Sequence, residues 1–258
     1  MSAIPVNCDF VKNGSGPPII FTHGVGGAKD AWRFIAPILE KKFTVITYDL
    51  RGHGKSPVTN KDFDLKELVA DLENVRARAG IDKAHFVGHS LGGTIVPAYA
   101  NQFPDKVLSA TMLSAVAGRT QQEKQLVWDL IKDMETKGLN EVLPGVKTRW
   151  FTDDFIKNNP DLVSRRINQV LDMDHEVFKN VFRIFAKSES MPWLKNIKKP
   201  CLFMTGEKDL GCSPRHNEMM SKKTNHSKLV ILPKLKHSFL IEAPGLIANN
   251  IEEFINSI

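Results

Sequence analysis

The chain predicts an α/β fold, a mostly parallel central sheet with helices on both faces and a helical cap inserted into it. Three observations predict this. Short apolar runs alternate with helical periods through the first 113 residues. From about Gly118 to Trp193 the spacing is helical only, with no strand-like run. At Pro200 the strand-and-helix rhythm resumes. Alternation of this kind builds a parallel sheet covered on both sides.

Cys8–Lys12 and Pro18–Thr22 read as strands joined by the turn Asn13-Gly14-Ser15-Gly16. His23-Gly24-Val25-Gly26-Gly27 follows as a loop whose glycines let backbone approach a ligand. Asp30–Lys41 reads as a helix with Asp30 as N-cap and Trp32, Ile35, Ile38 and Leu39 on one side, bent or split at Pro37. Phe43–Tyr48 is a strand, followed by the loop Asp49–Ser56. Asp64–Ala79 is an amphipathic helix through Leu65, Leu68, Val69, Leu72 and Val75, ended by Gly80. Ala84–Val87 is a buried strand, Thr94–Phe103 a helix kinked at Pro97, and Val107–Leu113 a further strand.

The middle of the chain carries helical patterns at Glu123–Lys137, Leu139–Val142, Asp153–Lys157, Asp161–Asp172 and His175–Ala186. These define a core of residues 1–118 and 196–258 and a cap of residues 119–195, placed over the carboxyl ends of the strands, where open α/β sheets bind ligands. The core resumes with the strand Pro200–Thr205, a helix begun by Ser213-Pro214 and reaching Lys222, and the strand Lys228–Leu232. A loop follows at Lys234–Phe239, then a terminal helix from Pro244 to Ile258.

Composition excludes several classes. With 258 residues, 42% apolar and 25% charged, the chain reads as an ordinary globular protein with a sizeable core. No apolar run approaches the ~18 residues of a membrane span. The start of the chain shows no basic-then-apolar block, so a cytoplasmic location is expected. Cys8, Cys201 and Cys212 are odd in number and form no Cys-x-x-Cys, which predicts buried thiols rather than disulfides or a zinc site; Cys212, close to Asp209, is expected near the pocket. The net charge of +6 is scattered, partly in the doublets Lys41-Lys42, Arg165-Arg166, Lys198-Lys199 and Lys222-Lys223. No like-charge run reaches the roughly five residues of a nucleic-acid tail. The basic residues therefore read as solvated surface, with at most a modest preference for anionic substrates. Phosphate motifs fail: a dinucleotide fingerprint would need glycine at Lys29, and a P-loop ending at Gly54-Lys55-Ser56 would need it at Asp49.

The chemistry centres on Gly88-His89-Ser90-Leu91-Gly92-Gly93, between a strand and a helix. A serine at the tip of such a turn needs small neighbours two residues away on each side, and the turn lifts its hydroxyl out of the sheet. The Leu91 N–H then lies at a helix N-terminus, and the Val25 N–H supplies a second donor for an oxyanion. A serine hydroxyl also needs a base and an orienting carboxylate. Asp209 and His237 follow separate strands in the required order, so Ser90, Asp209 and His237 form the expected triad. His23, Gly24, His89, Trp128 and Trp150 are expected to contact substrate. His85 and His89 lie on a strand and its turn without a glutamate between them at position 86, so no metal site is expected. His53, His175, His216 and His226 find no partners in the pattern.

Taken together, His23-Gly24, Asp49-Leu50-Arg51-Gly52-His53-Gly54-Lys55-Ser56, the Ser90 turn, Gly206-Glu207-Lys208-Asp209 and the His237 loop resemble the α/β-hydrolase fold over nearly the whole chain. The cap segment Arg149-Trp150-Phe151-Thr152, with Asn159-Pro160, is most similar to the 3-oxoadipate enol-lactonase-like group, which includes esterases and cofactor-free haloperoxidases or perhydrolases. Leu113-Ser114-Ala115-Val116-Ala117, after the sixth-type strand of that fold, departs from the Asn-Thr pattern of the lactonases. Serine rather than aspartate at position 90 separates the chain from haloalkane dehalogenases and epoxide hydrolases, which the fold also resembles. The resemblance implies a serine hydrolase of small carboxylic esters or lactones, with no metal or organic cofactor. Open alternatives are an enol-lactonase or amide hydrolase, a cofactor-free carbon–carbon hydrolase, and a hydrolase-fold protein that binds a ligand without turnover.

Overall fold

Near-continuous apolar runs make the strands of this protein, because strands covered on both faces have no solvent side to alternate with. The computed structural model describes residues 3–258. Seven strands form one sheet: β1 (Phe10–Asn13), β2 (Pro18–Thr22), β3 (Thr44–Tyr48), β4 (Ala84–His89), β5 (Val107–Leu113), β6 (Cys201–Gly206) and β7 (Ser227–Leu232). Their order is β1-β3-β2-β4-β5-β6-β7. Only β1, at the edge, runs antiparallel. Successive residues feed two separate cores. Ile20, Phe86, Met112 and Phe203 pack with the helices Leu65–Arg78 and Gly92–Gln102 on one face. Phe21, Val87, Leu113 and Met204 pack with Trp32, Leu39 and the terminal helix Pro244–Asn256 on the other.

The chain crosses from β2 to β3 on one side and from β4 to β5 on the other. β2 and β4 therefore flank the switch point, where the loops after their carboxyl ends separate and leave a crevice. Register keeps these ends level: Thr22 pairs with Gly88, and His89 with Leu113.

Helix boundaries follow local chemistry. Leu65–Arg78 is closed by a capping box between Asp64 and Glu67. The segment expected as one helix from Asp30 is split into a 3-10 turn, Lys29–Trp32, and a short helix, Ala36–Leu39, with Pro37 in the latter's first turn. Asp30 consequently caps nothing; its carboxylate accepts from Arg165 and Gln169 instead. Leu139–Trp150 runs well past Val142, because Pro144 and residue 140, whose carbonyl loses its partner, both face solvent. A one-turn helix, Phe239–Glu242, begins at the last residue of the expected loop and fills the gap before the terminal helix.

Between β5 and β6 the chain is helical throughout, from Gln121 to Leu194. Met134, Leu139, Leu143, Val146, Val170 and Phe178 form an apolar cluster of this insertion. Val177, Val181 and Ile184 instead join the main core. No helix among the described residues is long and apolar enough to cross a membrane.

Candidate active site

β4 ends in Gly88-His89, and the chain turns at once into the helix Gly92–Gln102. The turn forces Ser90 to φ +56°, in the left-handed region that a non-glycine residue rarely adopts. A Cβ on Gly88 would run into the Gly92 carbonyl, which is why the turn closes only with glycine there. The Ser90 N–H donates to the Leu113 carbonyl at 2.9 Å, tying the turn to the end of β5. Across the crevice Gly24 sits against it: a Cβ on Gly24 would lie 2.8 Å from the Ser90 Cβ.

Asp209 follows β6 and is 2% exposed. Its Oδ1 accepts the N–H groups of Gly211 at 3.0 Å and Cys212 at 2.9 Å. Its Oδ2 accepts His237 Nδ1–H and the Ser114 hydroxyl, both at 2.7 Å. Burial pushes this carboxyl up, but the charge and hydrogen bond of His237, with the Cys212 N–H and the Ser114 hydroxyl, outweigh it and hold it well below the usual carboxylate range. The bond to Nδ1 fixes the His237 tautomer and leaves Nε2 as the ring nitrogen able to take a proton. His89 Nε2–H donates to the His237 carbonyl at 3.1 Å, and the two rings lie 4.8 Å apart. Burial, with His237 nearby, pushes His89 down to about 3, so it is a neutral donor.

Asp209, Cys212 and His237 bring possible metal-ligating atoms within 4.8 Å of one another. Both Asp209 oxygens are already filled by four donors, so the set is a hydrogen-bond network. Cys212 lines the cavity as the sequence suggests, with its thiol pushed up by burial.

Ser90, Asp209 and His237 line one cavity with Gly24, Val25, His89 and Trp150. Its far wall comes from the insertion, chiefly Val127, Leu130, Met134, Leu143, Val146 and Phe178. Two expected substrate contacts lie elsewhere. Trp128 is 37% exposed on the outer face of its helix, one step out of phase with Val127 and Leu130. His23 is fully buried behind the loop: its Nδ1–H donates to the Gly24 carbonyl at 2.8 Å and its Nε2 accepts the Leu50 N–H at 2.9 Å. Burial and the neighbouring His53 push it well below the ordinary histidine range.

Three residues were not legible as site residues. Ser114 stands at the end of β5 at φ +44° with its hydroxyl on Asp209; its place at the sheet edge between β4 and β6 is the one signal available. His53 accepts the Gly26 N–H on Nε2 at 3.3 Å and donates Nδ1–H to the Arg51 carbonyl at 3.0 Å. Arg166, expected on the solvated surface with its neighbour, instead lines the cavity and donates to the carbonyls of Val25 and Gly26. Arg165 does face outward, paired with Asp30 at 2.9 Å.

The rest of the Asp49–Ser56 loop is scaffold. Asp49 accepts the backbone N–H groups of Lys29 and Lys55 and pairs with the Lys29 ammonium at 2.7 Å. Arg51 makes a buried two-point contact with Asp71, both bonds at 2.8 Å.

Comparison with known proteins places these features in context. The family described as alpha/beta hydrolase fold matches residues 17–244. The chain is 26% identical over 243 residues to 3-oxoadipate enol-lactonase 1 of Acinetobacter baylyi, covering 94% of this chain and 90% of that protein. Its fold is shared with the enol-lactonase from Burkholderia xenovorans (TM-score 0.90, 22% identity, 97% and 98% of the two chains). It is shared too with a thermophilic esterase from Thermogutta terrifontis (TM-score 0.87, 21% identity, 97% and 93%).

Proposed function

The chain belongs to the α/β hydrolase fold family, and on that premise we propose that it is a serine hydrolase cleaving a small carboxylic ester or lactone through an acyl-enzyme on Ser90. The observation that carries this reading is the Asp209–His237 pair at 2.7 Å, lining one cavity with a serine held at φ +56°.

In this mechanism the Ser90 Oγ attacks the substrate carbonyl carbon while His237 Nε2 takes its proton. The carbonyl oxygen becomes an oxyanion, held by the N–H groups of Val25 and Leu91. Each such donor is typically worth ~10²–10³ in rate. Collapse breaks the bond to the leaving oxygen, which receives the proton from His237 and departs as an alcohol. Water then gives its proton to His237 and adds to the acyl carbon, and a second collapse breaks the bond to Ser90 Oγ, which takes that proton back from His237 as the acid is released. For a lactone the alcohol and acid remain in one molecule. Asp209 stabilises the imidazolium in both halves without taking the proton.

The insertion serves as the cap of this site, its apolar wall accepting a small acyl or alkoxy group. Likeness to named lactonases and an esterase supports esters and lactones above amides.

The test is hydrolysis of p-nitrophenyl acetate by wild type and Ser90→Ala, with mass spectrometry after a fluorophosphonate. Turnover lost by about 10⁶-fold in the variant, with a single adduct on Ser90, is expected. Folded wild type that shows neither turnover nor adduct would sink the reading in favour of a ligand-binding protein.

A further inference from the structure

The loop that carries the Val25 N–H is held with unusual completeness. The Gly24 carbonyl accepts from His23 Nδ1–H at 2.8 Å and the Gly27 N–H at 3.1 Å. In the next peptide unit the Val25 carbonyl accepts from Arg166 Nη2 at 3.0 Å and the Gly26 N–H donates to His53 Nε2 at 3.3 Å. In the third, the Gly26 carbonyl accepts from Arg166 Nη1 at 2.6 Å. Among the described residues, the one polar group of these three units without a partner in the protein is the Val25 N–H. A loop does not satisfy every group but one by chance of packing, since unpaired polar groups beside an apolar cavity are costly.

Arg166 is the part of this clamp that comes from the insertion, on the helix Pro160–Leu171. Among the described residues no carboxylate pairs with it; the Asp30 carboxylate is taken by Arg165 and Gln169. Its guanidinium lies 4.9 Å from the centroid of the Trp150 ring, which fixes its plane. Burial draws its pKa down to about 10, so it remains a cation at neutral pH. A guanidinium is a rigid fork whose two nitrogens can hold two successive carbonyls at once, which a lysine ammonium on a flexible stem does not reproduce.

We propose that Arg166 is a positioning residue for the oxyanion hole: from the insertion it fixes the Val25 and Gly26 carbonyls, and through them the direction of the free Val25 N–H. The inference rests on the acyl-transfer reading of Ser90 given above. It makes the insertion part of the machinery that stabilises charge, besides forming a wall for the substrate. The positive charge of the guanidinium, eased by Asp30 at a distance but held in no direct ion pair among the described residues, further favours negative charge in the crevice.

The test uses the full chain, neutral p-nitrophenyl acetate, its thiono analogue, and the variants Arg166→Met and Arg166→Lys. Sulfur accepts hydrogen bonds poorly, so the oxygen-over-sulfur rate ratio reads the hole itself. Arg166→Met should lose about 10- to 100-fold in kcat, at or below the ~10²–10³ of a whole oxyanion donor because the Val25 N–H is misdirected rather than removed, with KM changed less than about twofold. Its oxygen-over-sulfur ratio should fall in parallel. Arg166→Lys should be intermediate on both readouts, and it carries the test should the methionine variant unfold. An active wild type whose variants keep kcat and the oxygen-over-sulfur ratio would overturn the inference while leaving the serine mechanism intact. A loss confined to KM, with kcat and the oxygen-over-sulfur ratio kept, would overturn it in favour of direct contact with substrate. Absence of turnover and of a Ser90 adduct in wild type would overturn both.

Discussion

Ser114 Oγ donates to Asp209 Oδ2 at 2.7 Å, the same oxygen that orients His237. Asp209 is buried, so each donor lost lets burial push its carboxyl back up. A hydrogen bond to a charged group is worth about 1.5–3 kcal/mol, so Ser114→Ala should lower kcat/KM about 10- to 100-fold. The acid limb of the pH profile should move to higher pH. A profile that keeps its acid limb would show that Ser114 only fills space.

Gly24 has no room for a side chain, with Ser90 Cβ 2.8 Å and the His89 carbonyl 3.2 Å from where a Cβ would stand. Gly24→Ala should displace the Val25 loop from Ser90 and cost at least about 10²-fold in turnover, the scale of a 1 Å misplacement. Gly145 is the contrast, inside a helix with nothing within 4 Å of its would-be Cβ. Gly145→Ala should raise stability by about 0.5–1 kcal/mol and leave turnover alone. Steady-state kinetics and thermal melts on the pair check both statements.

Trp150 lines the cavity and supports Arg166, whereas Trp128 is on the outer face. Trp150→Ala should therefore impair both KM and kcat, and Trp128→Ala neither. Equal effects from the two would mean that the insertion docks differently from the arrangement described.

Buried neutral histidines give the fold an acid limit. His53 is pushed down to about 4 by burial, His85 to about 4 and His89 to about 3. In the unfolded chain each titrates near 6.5. Between those values the unfolded state binds protons that the native state refuses, so stability falls as pH drops from about 6.5 to about 4. Each such histidine steepens the fall by up to about 1.4 kcal/mol per pH unit. Asp209, held low, adds its own loss only in stronger acid, below the ordinary carboxylate range. Melting temperature against pH should show this slope, and His53→Gln should flatten it.

Much of this was readable from the residues. Strands β2 and β5 stand where their apolar runs do, and Ser90, Asp209 and His237 could be aligned because each follows a strand and parallel strands end at one edge. The insertion was harder. Helical spacing marks its elements but not how they rotate against the sheet. Val127, Leu130 and Met134 share the inner stripe of one helix, and aromatic character alone singles out Trp128, one step off that stripe. Arg166 is indistinguishable from Arg165 in a basic doublet, and only docking decides that one meets Asp30 and the other the Val25 loop. His23 and His53 act on backbone groups, which leave no complementary residue in the sequence to search for.

The insertion is also fastened beside His237. Trp150's carbonyl accepts the Ser238 N–H at 2.8 Å, and Thr152 is held by Glu242 through both its N–H, at 3.1 Å, and its hydroxyl, at 2.5 Å. For anyone building chimeras, this segment is not an interchangeable cassette. A foreign sequence grafted between β5 and β6 must bring a carbonyl to Ser238, a hydroxyl to Glu242 and a guanidinium to Val25. A graft that fits the sheet but lacks these anchors will yield a folded protein with a slack histidine loop.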